Sequence, residues 1–369
     1  IHRSVSGELV PGTTADAEEL YGIGDAMRRV GHGVFQFAPE HVILAESEWP
    51  WMRELARRTG RTVSVNLNQT DQEPDLWRDI LRLLDEAEAD GLPIVAQIAG
   101  RVVGLLMCLE GSFNPLAFHP AYAGIADLPL SDRVARLQDP DLRSRFAEEP
   151  DDGGLYRAVV LDQLHKWWAV ADGDIDYEPA EDTSIAAEAS RTGARPLDLV
   201  IDQLCAHGGN GIILTPFFNY SYGDLSFHYE AHQHPGTRMG LADAGAHCGV
   251  ICDGGTPTFM LTHWTRDRSR GPRLALEHVV HRQTAQTAAL YGLGDRGTVA
   301  PGLRADLNVI DYDHLSFDAP RMAHDLPGGA RRLVQRGKGY VGTWVHGVRT
   351  VDHDDFTGEL PGRLLRGPR

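Results

Sequence analysis

No run of about 18 uninterrupted apolar residues occurs in this chain, so no segment reads as a membrane-spanning helix. Cysteine is scarce. Four residues, at 108, 205, 248 and 252, are too few and too scattered for a disulfide framework in 369 residues, so a reducing, cytoplasmic setting is expected. The spaced pair Cys248 and Cys252 has no second pair nearby to complete a structural zinc site, and small buried thiols are the expected reading. No charged-then-apolar leader follows the opening Ile1-His2-Arg3. Positive charge is short too: 35 Lys+Arg against 52 Asp+Glu leave a formal charge of −17, which disfavours nucleic acid as a partner. Neither a Gly-x-Ser-x-Gly elbow nor a phosphate loop is present, and the cluster Gly208-Gly-Asn-Gly211 precedes a strand instead of opening a helix.

What the chain does have is ample core material, 42% hydrophobic residues, and 17 His, the side chain best suited to metal ligation and proton transfer near neutral pH. Periodicity predicts a helix over 14–30 capped by Thr14, then a strand at 33–38. The alternation repeats with a helix at 47–60, a strand at 62–67, a helix at 75–90 and a strand at 93–98. It resumes after an irregular stretch (112–195) with a helix at 196–207, a strand at 211–215, a helix at 224–234 and a strand at 237–242. Helical stretches at 257–265 and 274–291 follow. Such alternation argues for an α/β fold built on a parallel sheet. The expected architecture is a (β/α)8 TIM-like barrel over 1–296, incomplete at its N-terminus, since five or six strands precede residue 245 where a barrel needs about eight. From Gly297 the pattern turns to β, and a small β-sandwich appendage is expected over 297–369.

The most informative stretch is Met239-Gly-Leu-Ala-Asp-Ala-Gly-Ala-His247, an apolar strand running into an acidic residue and a small-residue turn. An Asp at the C-terminal end of a barrel strand faces the mouth where catalytic groups gather. Asp243 there can bind a divalent metal and take a proton from water. The competing reading is a helix N-cap.

At this point the chain resembles a family. Gly240-Leu-Ala-Asp-Ala-Gly-Ala-His247, Arg282-Gln-Thr-Ala-Gln-Thr-Ala-Ala-Leu-Tyr-Gly292 and above all Gly297-Thr-Val-Ala-Pro-Gly-Leu-Arg-Ala-Asp-Leu-Asn-Val-Ile310 resemble the C-terminal half of the amidohydrolase superfamily. With the closing Pro361-Gly-Arg-Leu-Leu-Arg-Gly367, the likeness is greatest to its N-acyl-D-amino-acid deacylase (D-aminoacylase) branch. The resemblance implies metal-assisted hydrolysis of a C–N amide bond in a small-molecule substrate. It makes Asp243 metal ligand and proton shuttle, and places His247 near the substrate.

The chain departs from that pattern where metal ligands belong. No barrel-strand His-x-His is present, and His232-Gln-His234 reads as a charged helix end. The strands at 62–69 and 93–101 carry Asn66, Asn68 and Gln69, then Gln97 and Arg101, which are poor zinc ligands but good partners for a carboxylate or amide. At most one divalent metal, zinc, is therefore expected, with its remaining ligands in an N-terminal segment outside this sequence. Gln69, Gln97, Arg101 and the turn residue Asn219 are candidate substrate contacts. The competing class is a degenerate, non-catalytic barrel that binds a small molecule. Neither membrane nor nucleic acid is an expected partner, and the sequence is compatible with a homo-oligomer.

Overall fold

The structure, a computed structural model, describes residues 7–41, 44–148, 161–240, 242, 245 and 247–365. Asp243 lies outside the described residues, as do Leu241 and the end of the closing 361–367 motif.

Four parallel strands, β1 (Val34–Phe37), β2 (Thr62–Asn66), β3 (Ile94–Ile98) and β7 (Thr237–Met239), form one sheet in the order β1-β2-β3-β7. Helix α1 (Ala17–Val30) precedes β1, α2 (Trp49–Thr59) links β1 to β2, and α3 (Leu76–Ala89) links β2 to β3. The first helix starts later than its periodicity suggests: the Asp16 carboxylate, not Thr14, caps it by accepting from Glu19 N at 3.0 Å. In α3 the buried positions Trp77, Ile80, Leu84 and Ala87 follow one helical stripe. They pack with Met52 and Leu55 of α2 against Val63, Val65, Ile94, Ala96 and Ile98 of the sheet. Each large side chain buried this way contributes about 1.5–3 kcal/mol.

The other face of the sheet is polar. Register places Gln36, Ser64, Asn66 and Gln97 on one side, because Gln36 pairs with Ser64 and Asn66 with Gln97.

The strand expected at 211–215 exists as β6 (Ile213–Phe218) but does not join this sheet. It pairs antiparallel with β4 (Val103–Met107) and β5 (Trp168–Ala169) in the order β4-β6-β5. Only Ala99, Gly100, Arg101 and Val102 separate β3 from β4, too few residues for the crossover helix that a parallel continuation requires. Among the described residues the barrel is therefore represented by four parallel strands and not closed. The irregular stretch holds α4 (Pro120–Ala123), α5 (Leu130–Leu137), α6 (Pro140–Glu148) and α7 (Ile185–Thr192). With α8 (Pro196–Gly209) these surround a second core containing Leu137, Trp167, Ile201 and Leu204.

After β6 come α9 (Ser226–Gln233), β7, α10 (Thr256–Thr262), α11 (Leu276–Gln283) and α12 (Ala285–Leu290). The helix expected over 274–291 is thus two helices, broken at Thr284, whose φ of −120° and ψ of −90° are not helical. Beyond residue 300 regular structure is almost wholly β. An antiparallel sheet has the order β15-β14-β13-β8, from β8 (Leu307–Ile310), β13 (Tyr340–Val345), β14 (Val348–Asp352) and β15 (Asp355–Phe356). Two pairs complete it: β9 (Ser316–Phe317) with β12 (Gly337–Lys338), and β10 (Arg321–Leu326) with β11 (Ala330–Val334). Leu315 and Leu333 from this part enter the same core as Phe259, Met260 and Trp264. All four cysteines are free thiols, three of them buried. No helix among the described residues is long and apolar enough to cross a membrane.

Candidate active site

Parallel strands deliver their following loops to one edge of the sheet, the usual location of an α/β site. At that edge the loop after β2 meets the loop after β6. Gln69 N donates to Asn219 Oδ1 at 2.7 Å, and Asn219 N returns a bond to the Gln69 carbonyl at 3.0 Å. Gln69 Nε2 donates to the Pro74 carbonyl, while Gln69 Oε1 accepts from Ser221 N. Asn219 Nδ2 donates to Asn68 Oδ1 at 3.0 Å, and His41 Nε2, just past β1, lies 3.4 Å from Asn68 Nδ2. Both Gln69 and Asn219 are fully buried. Asn219 adopts the left-handed conformation, φ 69°, which Asn tolerates better than most residues. The two amides first considered as substrate contacts thus have their polar atoms engaged in joining two loops. His41, with Asn68, extends that network toward β1. Burial lowers its pKa, with Glu40 opposing.

Gln97 sits on the polar sheet face. Its Nε2 donates to Ser64 Oγ at 2.9 Å and to Tyr291 OH at 3.3 Å. Gly240, immediately after β7, donates its N–H to the Ile98 carbonyl and packs so close that a Cβ there would lie 2.6 Å from Gln97 Oε1. The segment carrying Asp243 therefore starts from Gly240, directly beside Gln97. Its far end is pinned three times: Leu333 N to the Cys248 carbonyl, Ser112 N to Gly249 and Leu106 N to Val250, all at 2.6–2.8 Å. His247 is exposed with φ 53°, and its carbonyl accepts from both Val250 N and Ile251 N.

Arg101 does not sit beside Gln97. It is buried, with its guanidinium 3.5 Å from the Tyr177 ring centroid, and donates to the Cys252 carbonyl at 2.6 Å and to Asp253 at 3.3 Å. The aromatic face takes the place of partners for its Nε and Nη1. Its contacts clamp the segment that follows the Asp243 loop.

Nothing in the sequence pattern marks Glu178, which comes from the irregular stretch. Its buried carboxylate accepts two bonds from Arg268, at 2.9 and 3.0 Å, one from Leu225 N, and pairs with His263 Nε2 at 2.9 Å. Burial alone would raise its pKa, but these bonds hold it down at about 2. Next to this group lie His228 and His232 of α9, both fully buried and ring-stacked 6.5 Å apart. His232 is thus a neutral core residue, not a charged helix end. Burial pushes its pKa well below 6.5 and that of His228 to about 4. His228 closes no hydrogen bond at either ring nitrogen, the Arg101 backbone opposing only part of its shift.

A divalent metal needs several His, Cys or carboxylate donors converging on one point. Among the described residues no group of three or more such side chains does so. The rim offers amides that already bond one another, and Arg101 is a cation. The described residues therefore do not fit a metal.

A sequence profile of the amidohydrolase family matches residues 8–351. An uncharacterized protein of Mycobacterium tuberculosis is 28% identical over 306 residues, which is 76% of this chain and 49% of that protein. N-acyl-D-aspartate deacylase of Alcaligenes xylosoxydans xylosoxydans is 31% identical over 115 residues, 30% of this chain and 20% of the enzyme. The chain spans about half the length of the longest-matching of these relatives. A D-aminoacylase structure, studied for its binuclear metal center, superposes with a TM-score of 0.51 and 17% identity, covering 95% of this chain and 59% of that one. At that identity the likeness concerns the fold.

Proposed function

The chain belongs to the amidohydrolase family, and on that premise we propose that it hydrolyses the C–N amide bond of an N-acylated amino acid, in the manner of an N-acyl-D-amino-acid deacylase. The observation that carries this reading is the origin of the Asp243 segment. It springs from the end of β7 at Gly240, bonded to Ile98 of β3 and packed on Gln97. In this reading Asp243 takes a proton from the attacking water and hands it to the departing amine, which a carboxylate at a strand end is suited to do. Gln97 and His247 contact the substrate, and Arg101 acts behind them by holding Cys252 and Asp253. Gln69 and Asn219 support the substrate side through the rim they join. In the same reading Asp243 is a ligand to a single divalent ion, zinc.

The test is turnover of a panel of N-acetyl-D-amino acids by the protein of the whole gene, together with its metal content by inductively coupled plasma mass spectrometry. Release of free amino acid with about one metal per chain is expected. Binding of these compounds without turnover, in metal-free protein, would favour the second reading, a barrel that binds small molecules without hydrolysing them. What speaks for that alternative is that amide side chains, and not metal-ligating ones, occupy the rim.

A further inference from the structure

Away from the strand ends, a cleft of about 250 Å³ opens between residues 248–254 and the β10–β11 hairpin. We propose that this cleft binds an organic carboxylate bearing a short apolar tail. Its charge is the first argument. Arg321, Arg332 and Arg336 line it together with Asp253 and Asp325. Arg332 grips Asp325 through two bonds, at 2.8 and 2.9 Å, and Arg101 reaches Asp253 from behind at 3.3 Å. Each carboxylate of the cleft thus has its own arginine. Arg321 and Arg336 form no direct ion pair among the described residues, Arg321 acting on Asp325 only at longer range, so three arginines line the cleft against two carboxylates although the whole chain carries a charge of −17. This excess of guanidinium groups in a concave site suits a carboxylate, whose two oxygens match their geometry.

Shape is the second argument. The same cleft is walled by Ile251, Leu333 and Val334, with the Phe356 ring, 79% exposed, at its edge. Bare inorganic anions would leave this apolar wall in water, whereas a short alkyl chain would cover it, at about 0.8 kcal/mol per buried methylene. The site is separate from the strand-end rim but linked to the catalytic loop of the reading above, because Leu333 N bonds the Cys248 carbonyl just after His247. Its existence does not depend on hydrolysis.

Isothermal titration calorimetry of the whole protein with hexanoate, acetate and inorganic phosphate, at matched ionic strength, tests the proposal. Hexanoate is expected to bind at one site per chain and more tightly than acetate or phosphate. Arg321→Gln and Arg336→Gln, made singly, should each weaken it about tenfold. Phe356→Ala should narrow the gap between hexanoate and acetate. All three are surface substitutions, and unchanged thermal unfolding verifies the fold. Absence of hexanoate binding, wild-type affinity in both arginine variants, or phosphate binding more tightly than hexanoate would overturn the proposal. These readouts are binding constants, so failure here leaves the hydrolase reading untouched, and loss of turnover leaves this site untouched.

Discussion

Asn219 and Gln69 hold each other by a reciprocal pair of bonds, Gln69 N donating to the Asn219 side-chain Oδ1 and Asn219 N to the Gln69 carbonyl, across 150 residues of sequence. The loops after β2 and β6 thereby move as one unit. Asn219→Gly keeps the left-handed backbone and removes only the side-chain bonds, so it should cost about 1–3 kcal/mol. Asn219→Ala adds backbone strain of roughly 1 kcal/mol. Urea unfolding of the two variants measures the difference, and equal stabilities would mean that strain at this position is negligible.

Glu178 should dominate the acid limb of stability. Its folded pKa, about 2, lies below the ordinary value of 4.5. The stabilisation is therefore complete above pH 4.5 and is lost as pH falls from there toward 2. Glu178→Gln leaves Arg268 buried without its counter-charge and should cost about 3–5 kcal/mol. Denaturant midpoints at pH 7 for the two proteins check the magnitude, and a loss below about 1 kcal/mol would show that Arg268 finds another partner.

His228 acts on pH in a different window. The unfolded chain protonates this histidine below 6.5, while the folded protein resists down to about 4, so stability should fall as pH drops through that interval. His228→Leu removes from the core two buried ring nitrogens that the Arg101 backbone satisfies at most weakly. It is expected to be neutral or stabilising at pH 5 and to flatten the pH dependence of the melting temperature between 4 and 6.5. A steeper dependence in the variant would contradict the argument.

Gly240→Ala drives a methyl group to 2.6 Å from Gln97 Oε1 and should displace Gln97 from Ser64. A loss of about 1–3 kcal/mol is expected, typical of an overpacked site. In the Gln97→Ala background the same substitution should be nearly silent. Additive losses in that double-mutant cycle would place the strain elsewhere.

Asp243→Asn should lower kcat by about 10²–10⁴-fold while thermal unfolding is unchanged, as removal of a proton carrier does. Wild-type turnover in this variant would remove Asp243 from the chemistry.

Much of the parallel sheet was legible in the sequence because its strands are short apolar or β-branched runs separated by amphipathic helices. Residues 62–66 and 94–98 appear as strands within one residue of the expected bounds. The pairing of β6 was not legible. A run such as Ile213-Leu-Thr-Pro-Phe-Phe218 has the same composition whether its neighbour is parallel or antiparallel, and only the four-residue link from β3 to β4 decided the matter. Gln69 and Asn219 stood out as polar residues at strand ends, yet sequence spacing carries no information about which group, 150 positions away, satisfies them. Glu178 and His228 gave no signal, because an isolated Glu in an irregular segment and a His on a helix usually face water.

By itself the sequence determined the alternation of elements, the apolar stripes that bury Trp77, Ile80 and Leu84, and the family to which its motifs belong, since these depend on local periodicity and contiguous residues. Tertiary structure alone decided that Arg101 lies over Tyr177, that Glu178 is held by Arg268, and that Arg321, Arg332 and Arg336 line one cleft. Charge pairing and burial are properties of three-dimensional proximity, and the groups involved are brought together from segments up to 152 residues apart.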